Sequence, residues 1–322
     1  MRVIFMGTDK FAVPAFEAVI KSGVDLICVI TQPDQPKGRG LKLSPSPVKE
    51  SALKNNIPIH QPEKVRDKTF VEKIRDEFKP NLIIVVAYGQ ILPKSILDIP
   101  EYGCVNLHPS LLPKYRGASP IQRAIMNGEN ETGVTLMFMD EGEDTGDIIY
   151  QEHAEIGISD TAEILSEKLA DIADQMLLRI LRKEDKPSES LALPRQMQDH
   201  NQAAHAPKLS KEDGLIDWNK SAFEIHNLIR GTLPWPGAYT TFNVESGEKI
   251  LKIWDSKLEK LPEDVKFVPG TISKTTTESG IGVVTGDGLL IINTVQPADK
   301  PKMKAKDFMN GYRIKIGDKL GK

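Results

Sequence analysis

The sequence predicts an α/β protein: a doubly wound, mainly parallel, Rossmann-like sheet followed by a smaller OB-like β-barrel domain. Three observations predict it. Strand and helix signals alternate with short links through the first half of the chain. The run Leu82–Ala87 is unbroken and rich in β-branched residues, as in a strand buried on both faces. Residues 183–207 are polar, carry Pro187, Pro194 and Pro207, and lead to a stretch of short strand-like runs separated by Gly and Asp turns. The length, 322 residues, suits two domains at about 150 residues each. The expected boundaries are 1–188, a linker at 189–207, and 208–322.

The elements follow in order. Arg2–Met6 is a short apolar strand. A Gly7-Thr-Asp turn leads to a helix over Lys10–Ser22, and Val24–Thr31 is a second strand. Lys49–Asn55 and Arg66–Phe78 read as helices. Cys104–Leu107, Val134–Met139 and Ile148–Glu152 are further strands. Asp160–Arg182 is a long helix, capped by Ser159 or Asp160, with Ile164, Leu165, Leu169, Ile172, Met176 and Ile180 at helical spacing. In the second domain a helix spans Ala222–Arg230. Strands follow near Tyr239–Val244, Ile250–Trp254, Gly270–Ser273, Gly282–Thr285 and Leu289–Val295.

Composition narrows the function. Apolar content is 39% and charge 27%, ordinary for a globular protein with a sizeable core. No run of eighteen apolar residues occurs, so no membrane span is expected, and Met1–Gly7 runs straight into a strand pattern unlike a secretory signal. Cys28 and Cys104 lie in apolar strand-like runs and read as buried thiols of a cytoplasmic protein. His60, His153, His200, His205 and His226 have no ligand spacing, so no metal is expected. Gly7-Thr-Asp-Lys-Phe lacks the later glycines of a dinucleotide fingerprint.

Net charge is −3, but it is unevenly spread. Residues 32–54 carry five basic against two acidic side chains, and residues 298–322 eight against three, leaving −11 on the remainder. Two basic patches on an acidic body suit a long polyanion; they equally suit solvated lysine-rich surfaces.

One stretch carries the chemistry. A strand runs into His108 and is stopped at Pro109, at the kind of strand end where open α/β sheets bind ligands. Asn106 and His108, two positions apart on a strand, share a face. Farther on, Asp140-Glu-Gly-Glu-Asp144-Thr-Gly-Asp147 places carboxylates on a Gly-rich turn. An amide donor, a proton carrier and a carboxylate are what acyl transfer to an amine requires. After Leu82–Ala87, the stretch Tyr88-Gly89-Gln90-Ile91-Leu92 reads either as a pocket for a flat heterocycle, with Gly89 admitting close approach, or as an ordinary turn. The long connection Pro33–Val48 presents Arg39 between two glycines, with Lys37 and Lys42 beside it, suited to phosphate or base edges. Trp235, between Pro234 and Pro236, reads as a stacking platform or a packed corner.

Asn106-x-His108-Pro-Ser-Leu-Leu-Pro-x-Tyr115-Arg-Gly followed by Asp140-x-Gly-x-Asp144-Thr-Gly-Asp resembles the signature of the folate-dependent formyltransferases. The Gln32-Pro-Asp-x-Pro-x-Gly-Arg-Gly loop, Ala118–Ile125 and Leu233-Pro-Trp-Pro-Gly-Ala-Tyr narrow the resemblance to members acting on methionyl-tRNA. It spans nearly the whole chain. Two positions depart from the family's usual pattern: Glu143 replaces an apolar residue and Tyr115 a tryptophan. The resemblance implies a one-carbon transferase. It would move the formyl group of 10-formyltetrahydrofolate, its co-substrate, to the α-amino group of methionyl initiator tRNA for translation initiation. Transfer would be direct, through a tetrahedral intermediate. It further implies a catalytic trio of Asn106, His108 and Asp144. Folate contacts are expected at Ser110, Leu111, Leu112, Pro113, Asp140 and 88–92. Arg39, Lys37 and Lys42 would meet the tRNA, helped by the second domain. A monomer is expected. Related alternatives are formyl transfer to glycinamide ribonucleotide or an amino-sugar nucleotide, and hydrolysis of the formyl-folate; a catalytically silent RNA-binding scaffold is an alternative of another class.

Overall fold

The computed structural model describes residues 1–37, 42–181, 193–245, 247–260, 268–276 and 280–321. The chain divides into two compact units. The first holds Met1–Pro120, Glu131–Glu155 and Ser166–Ala206; the second holds Ile121–Asn130, Ile156–Leu165 and Pro207–Lys322.

In the first unit the strands are β1 (Arg2–Gly7), β2 (Asp25–Ile30), β3 (Gln35–Lys37), β4 (Lys42–Ser44), β5 (Ile59–His60), β6 (Leu82–Val86), β7 (Cys104–His108), β8 (Glu131–Phe138) and β9 (Ile148–Glu155). The helices, numbered along the whole chain, begin with α1 (Ala12–Lys21), α2 (Pro47–Lys54), α3 (Lys68–Lys73), α4 (Lys94–Leu97), α5 (Pro120–Met126) and α6 (Ala162–Leu181). Seven strands form one sheet in the order β5-β2-β1-β6-β7-β8-β9. The first five are parallel; β8 runs antiparallel to β7, and β9 antiparallel to β8. β1 and β6 are the middle of the parallel region. Every residue of β6 is buried, because both faces are covered. One face packs Ile4, Met6, Ile30, Ile83, Val85 and Cys104 with Ile74 and Ile96. Phe5 meets Phe16 of α1 with ring centroids 5.2 Å apart. Each such aliphatic side chain contributes about 1.5–3 kcal/mol by leaving water.

Several expectations are refined. The helix expected at Arg66–Phe78 begins at Lys68 and finishes as a π turn over Ile74–Phe78, closed by Lys79 in the left-handed region at φ +48°. α2 starts two residues early: Ser46 caps it, accepting from the Lys49 N–H at 3.1 Å, and Pro47 opens it. The long helix begins at Ala162, with the Thr161 hydroxyl accepting from the Ile164 N–H at 3.3 Å; Asp160 instead accepts from the Gly157 N–H. The connection Pro33–Val48 is a β-hairpin, β3 against β4. The described end of the expected linker is bound into the first unit: Gln196 pairs with Ile148, and His205 with Arg116. Its residues satisfy backbone groups there, which a free spacer does not do.

In the second unit the elements are α7 (Ala222–Gly231), β10 (Tyr239–Val244), β11 (Gly247–Glu259), β12 (Ile272–Thr275), β13 (Ile281–Val284), β14 (Leu289–Pro297), β15 (Met303–Lys304) and α8 (Ala305–Tyr312). The strands form one curled antiparallel sheet, β10-β11-β14-β13-β12, with β15 on β14. Register shifts around Asp255 of β11 bend the long strand. Ser221 and Glu224 form a reciprocal capping box on α7. The core gathers Trp218, Ile225, Ile229, Phe242, Leu251, Ile253, Ile292 and Phe308. α8 escaped the sequence reading; it buries Phe308 and Met309. Trp235 is half-exposed rather than packed.

Candidate active site

Strand β7 places the first two functional side chains. Its register against β8 pairs Asn106 with Met137 and His108 with Thr135. Asn106 is half-buried, and its amide makes no hydrogen bond among the described residues. His108 is buried, and both ring nitrogens face oxygens. Nε2 lies 2.8 Å from the Tyr115 carbonyl oxygen, and Nδ1 lies 3.4 Å from Oδ2 of Asp144.

Asp144 sits in the left-handed region at φ +55°, a conformation that Asp tolerates better than most residues. Its Oδ2 also accepts from the Gly117 N–H at 2.8 Å. The turn before it is held by Asp140, whose Oδ1 accepts from the Gly142 N–H at 3.0 Å and the Thr145 hydroxyl at 2.6 Å. Gly146 is required there: a Cβ would overlap the Phe138 carbonyl oxygen.

The 110–113 segment is sutured to β8 and β9. The Thr135 hydroxyl donates to the Ser110 carbonyl at 2.6 Å and accepts from the Leu112 N–H at 3.1 Å. Gln151 donates to the Leu112 carbonyl at 2.8 Å and to the Thr135 hydroxyl at 2.9 Å. The Ser110 hydroxyl is spent on the Lys114 carbonyl, at 2.7 Å. Leu111 and Pro113 are half-buried.

The 88–92 segment turns at Gly89, with φ +87°. The Tyr88 ring is in the core of the first unit with its hydroxyl unpartnered, and burial pushes the phenol pKa far up. What Tyr88 offers is backbone, and its carbonyl already accepts from Thr8 at 2.9 Å and Gln32 at 3.2 Å. Gln90 holds the preceding loop: its Oε1 accepts from the Val65 N–H at 2.7 Å. Leu92 is buried, whereas Ile91 is 88% exposed, a large apolar side chain left open beside a glycine.

Lys37 and Lys42 are opposed at the last pair of the β3–β4 hairpin, and Arg39, in its connection, lies outside the described residues. Burial pushes both cysteine thiols up to about 12, so neither supplies a thiolate at neutral pH. Among the described residues no group of three or more His, Cys, Asp or Glu could hold a metal ion, and no helix is long and apolar enough to cross a membrane.

Two residues of the candidate site were given no role from the sequence: Arg116, named only within the motif, and Gln198. Arg116 and Gln198 are both buried, and the guanidinium donates to Oε1 of Gln198 at 2.6 and 3.1 Å. The Gln198 amide in turn donates to the carbonyls of Asp144 and Gly146, at 2.9 and 2.8 Å. Gln198 stands in a stretch without apolar period, so nothing local marked it.

The family model described as Formyl transferase matches residues 1–181, and that of the formyl transferase C-terminal domain matches 208–313. The methionyl-tRNA formyltransferase of Clostridioides difficile (strain 630) is 46% identical, with all of both chains covered. That of Alkaliphilus oremlandii (strain OhILAs) is 45% identical, again over all of both chains. Among solved structures, the sugar 3N-formyl transferase WlaRD, crystallised in the presence of dTDP and 5-N-formyl-THF, superposes with a TM-score of 0.65 at 23% identity, covering 94% of this chain and 99% of its own. HypX from Aquifex aeolicus, in complex with tetrahydrofolic acid, gives 0.60 at 16% identity, covering 99% of this chain and 48% of its own. These last two likenesses concern the fold.

Proposed function

The chain belongs to the formyl transferase family, and we propose that it transfers the formyl group of 10-formyltetrahydrofolate to the α-amino group of methionyl initiator tRNA. The full-length likeness to methionyl-tRNA formyltransferases supports the substrate pair. The single observation that carries the chemistry is the juxtaposition of Asn106, with an uncommitted amide on the strand face, and His108, which lies 3.4 Å from Asp144.

The residues fit a formyl-folate. An unpartnered amide can meet a carbonyl oxygen, and Ile91 and Gly89 leave an apolar edge and open backbone for a flat ring. When bound, the co-substrate supplies an activated one-carbon acyl group. The chain's own work is then threefold. The Asn106 amide donates to the formyl oxygen as negative charge grows on it, and the His108 ring, whose two nitrogens face the Tyr115 carbonyl and Asp144, supports that charge electrostatically. Asp144 orients His108, its carboxylate 3.4 Å from Nδ1. As the amine's new C–N bond forms, the bond from the formyl carbon to the folate nitrogen breaks, and His108 relays the amine's proton to that leaving nitrogen; the amine's ordinary pKa near 8 leaves a neutral fraction at pH 7. Transfer is direct, because no nucleophilic thiolate is available.

We assign catalysis to residues 1–188 and tRNA holding to 208–322 together with Lys37, Arg39 and Lys42. Of the folate-contact residues, Leu111, Pro113, Gly89 and Ile91 keep accessible surface. Ser110, Leu112, Gln90 and Asp140 act by fixing backbone through the hydrogen bonds already described. The protein acts as a monomer in the cytoplasm, where charged initiator tRNA is used. The deciding experiment follows labelled formyl from 10-formyltetrahydrofolate onto methionyl initiator tRNA, with uncharged tRNA and glycinamide ribonucleotide as controls. Label on the ribonucleotide, or on none of the three, would overturn the assignment.

A further inference from the structure

We infer that Gln198 and Arg116 form a positioning clamp that sets the His108–Asp144 pair, and that residues 196–206 are therefore part of the catalytic apparatus rather than a spacer. The inference rests on the formyl-transfer reading above.

His108 and Asp144 are not held by each other alone. His108 is anchored at Nε2 by the carbonyl of Tyr115, and Asp144 at Oδ2 by the N–H of Gly117. Both anchors flank Arg116. The backbone at Arg116 is itself pinned by the returning chain: its N–H donates to the Ala204 carbonyl at 2.8 Å, and its carbonyl accepts from Ala206 at 2.7 Å. The side chain of Arg116 reaches Gln198, and Gln198 reaches the carbonyls on either side of Thr145. One buried network thus joins the segment that orients the imidazole to the turn that carries the carboxylate. The guanidinium's second side-chain partner is Nδ1 of His200, at 3.0 Å.

The chemistry of the clamp is specific. A Gln side chain is both acceptor and donor, and here Oε1 takes two guanidinium N–H groups while Nε2 gives to two carbonyls. Asp144, at φ +55°, sits in a turn whose carbonyl direction fixes where the carboxylate points. Losing the donors frees that turn, and a displacement of about 1 Å in a reacting group is enough to cost on the order of 100-fold in rate.

The test uses two variants of the full chain. Gln198→Met keeps length and apolar bulk but has no donor or acceptor for the clamp. Gln198→Glu keeps the acceptor, and so the bond with Arg116, but removes the donor to the Asp144 and Gly146 carbonyls; it guards against misfolding of the first variant. Both should lower kcat by about 10- to 100-fold while KM for either substrate stays within about threefold. In an Asp144→Asn background, Gln198→Met should cost little more, because the group being positioned has already gone. The ring-nitrogen resonances of His108 at fixed pH, read without substrates, should move toward those of Asp144→Asn. Unchanged kcat in both variants, unchanged His108 resonances, or fully multiplicative losses would each overturn the clamp. If the wild type forms no formylated tRNA, the functional assignment fails, and the His108 resonances still decide the positioning claim.

Discussion

Replacing Asp144 by Asn should remove most of the catalytic rate while leaving the fold intact. The structure sets the size of the effect. Oδ2 of Asp144 lies 3.4 Å from Nδ1 of His108, with the two side chains 15% and 6% exposed. At that distance and an effective dielectric near 20, a unit charge pair is worth about 5 kcal/mol before the cost of desolvation. If half to all of that favours the charged ring as the oxyanion forms, kcat falls by roughly 10²- to 10³·⁵-fold at 1.36 kcal/mol per decade. Asn is the discriminating substitution. It has nearly the shape of Asp, it tolerates the φ of +55°, and its amide oxygen can still accept from the Gly117 N–H. Single-turnover transfer of labelled formyl to charged initiator tRNA measures the chemical step, and thermal unfolding reports on the fold. A variant with an unchanged melting temperature and a rate within about tenfold of wild type would refute the charge-stabilisation argument.

Asn106→Ala should cost about 10²-fold in kcat with unchanged stability, because its amide has no partner among the described residues to lose; equal loss of melting temperature would point to a structural role instead. Arg39→Ala should lower kcat/KM for charged tRNA and flatten its salt dependence while leaving folate-analogue binding unchanged, as one phosphate contact is removed; calorimetry and kinetics at two salt concentrations check both. His226 is buried in the second unit, with Nε2 donating to the Ile158 carbonyl and Nδ1 accepting from Ser256, beside Arg230 and Asp255. Burial lowers its pKa, so the folded state resists protonation that the unfolded chain accepts. Stability should therefore be full above about pH 6.5 and decline as pH falls below it toward the folded-state pKa. Urea unfolding at pH 7.5 and 5.0 should show that decline, and His226→Gln should reduce it.

The sequence by itself determined the alternation of strands and helices, because side-chain period and burial are local properties: an all-apolar run such as Leu82–Val86 can only be a strand covered on both sides. It also pointed to the candidate reacting groups, since Asn106 and His108 share a face through the two-residue repeat of a strand. Direction was not local. The reversal of β8 between β7 and β9 depends on which strands pair, and the hairpin in Pro33–Val48 depends on a register that no period reveals. The Tyr88 ring went to the core because the backbone at Ala87 and Gly89, at φ +44° and +87°, redirects the chain after β6. Tertiary structure alone brought Gln198 to Asp144, across 54 positions of sequence, because buried backbone carbonyls need donors wherever in the chain those are found. A residue whose only signal is the partner it satisfies stays invisible until the fold supplies that partner.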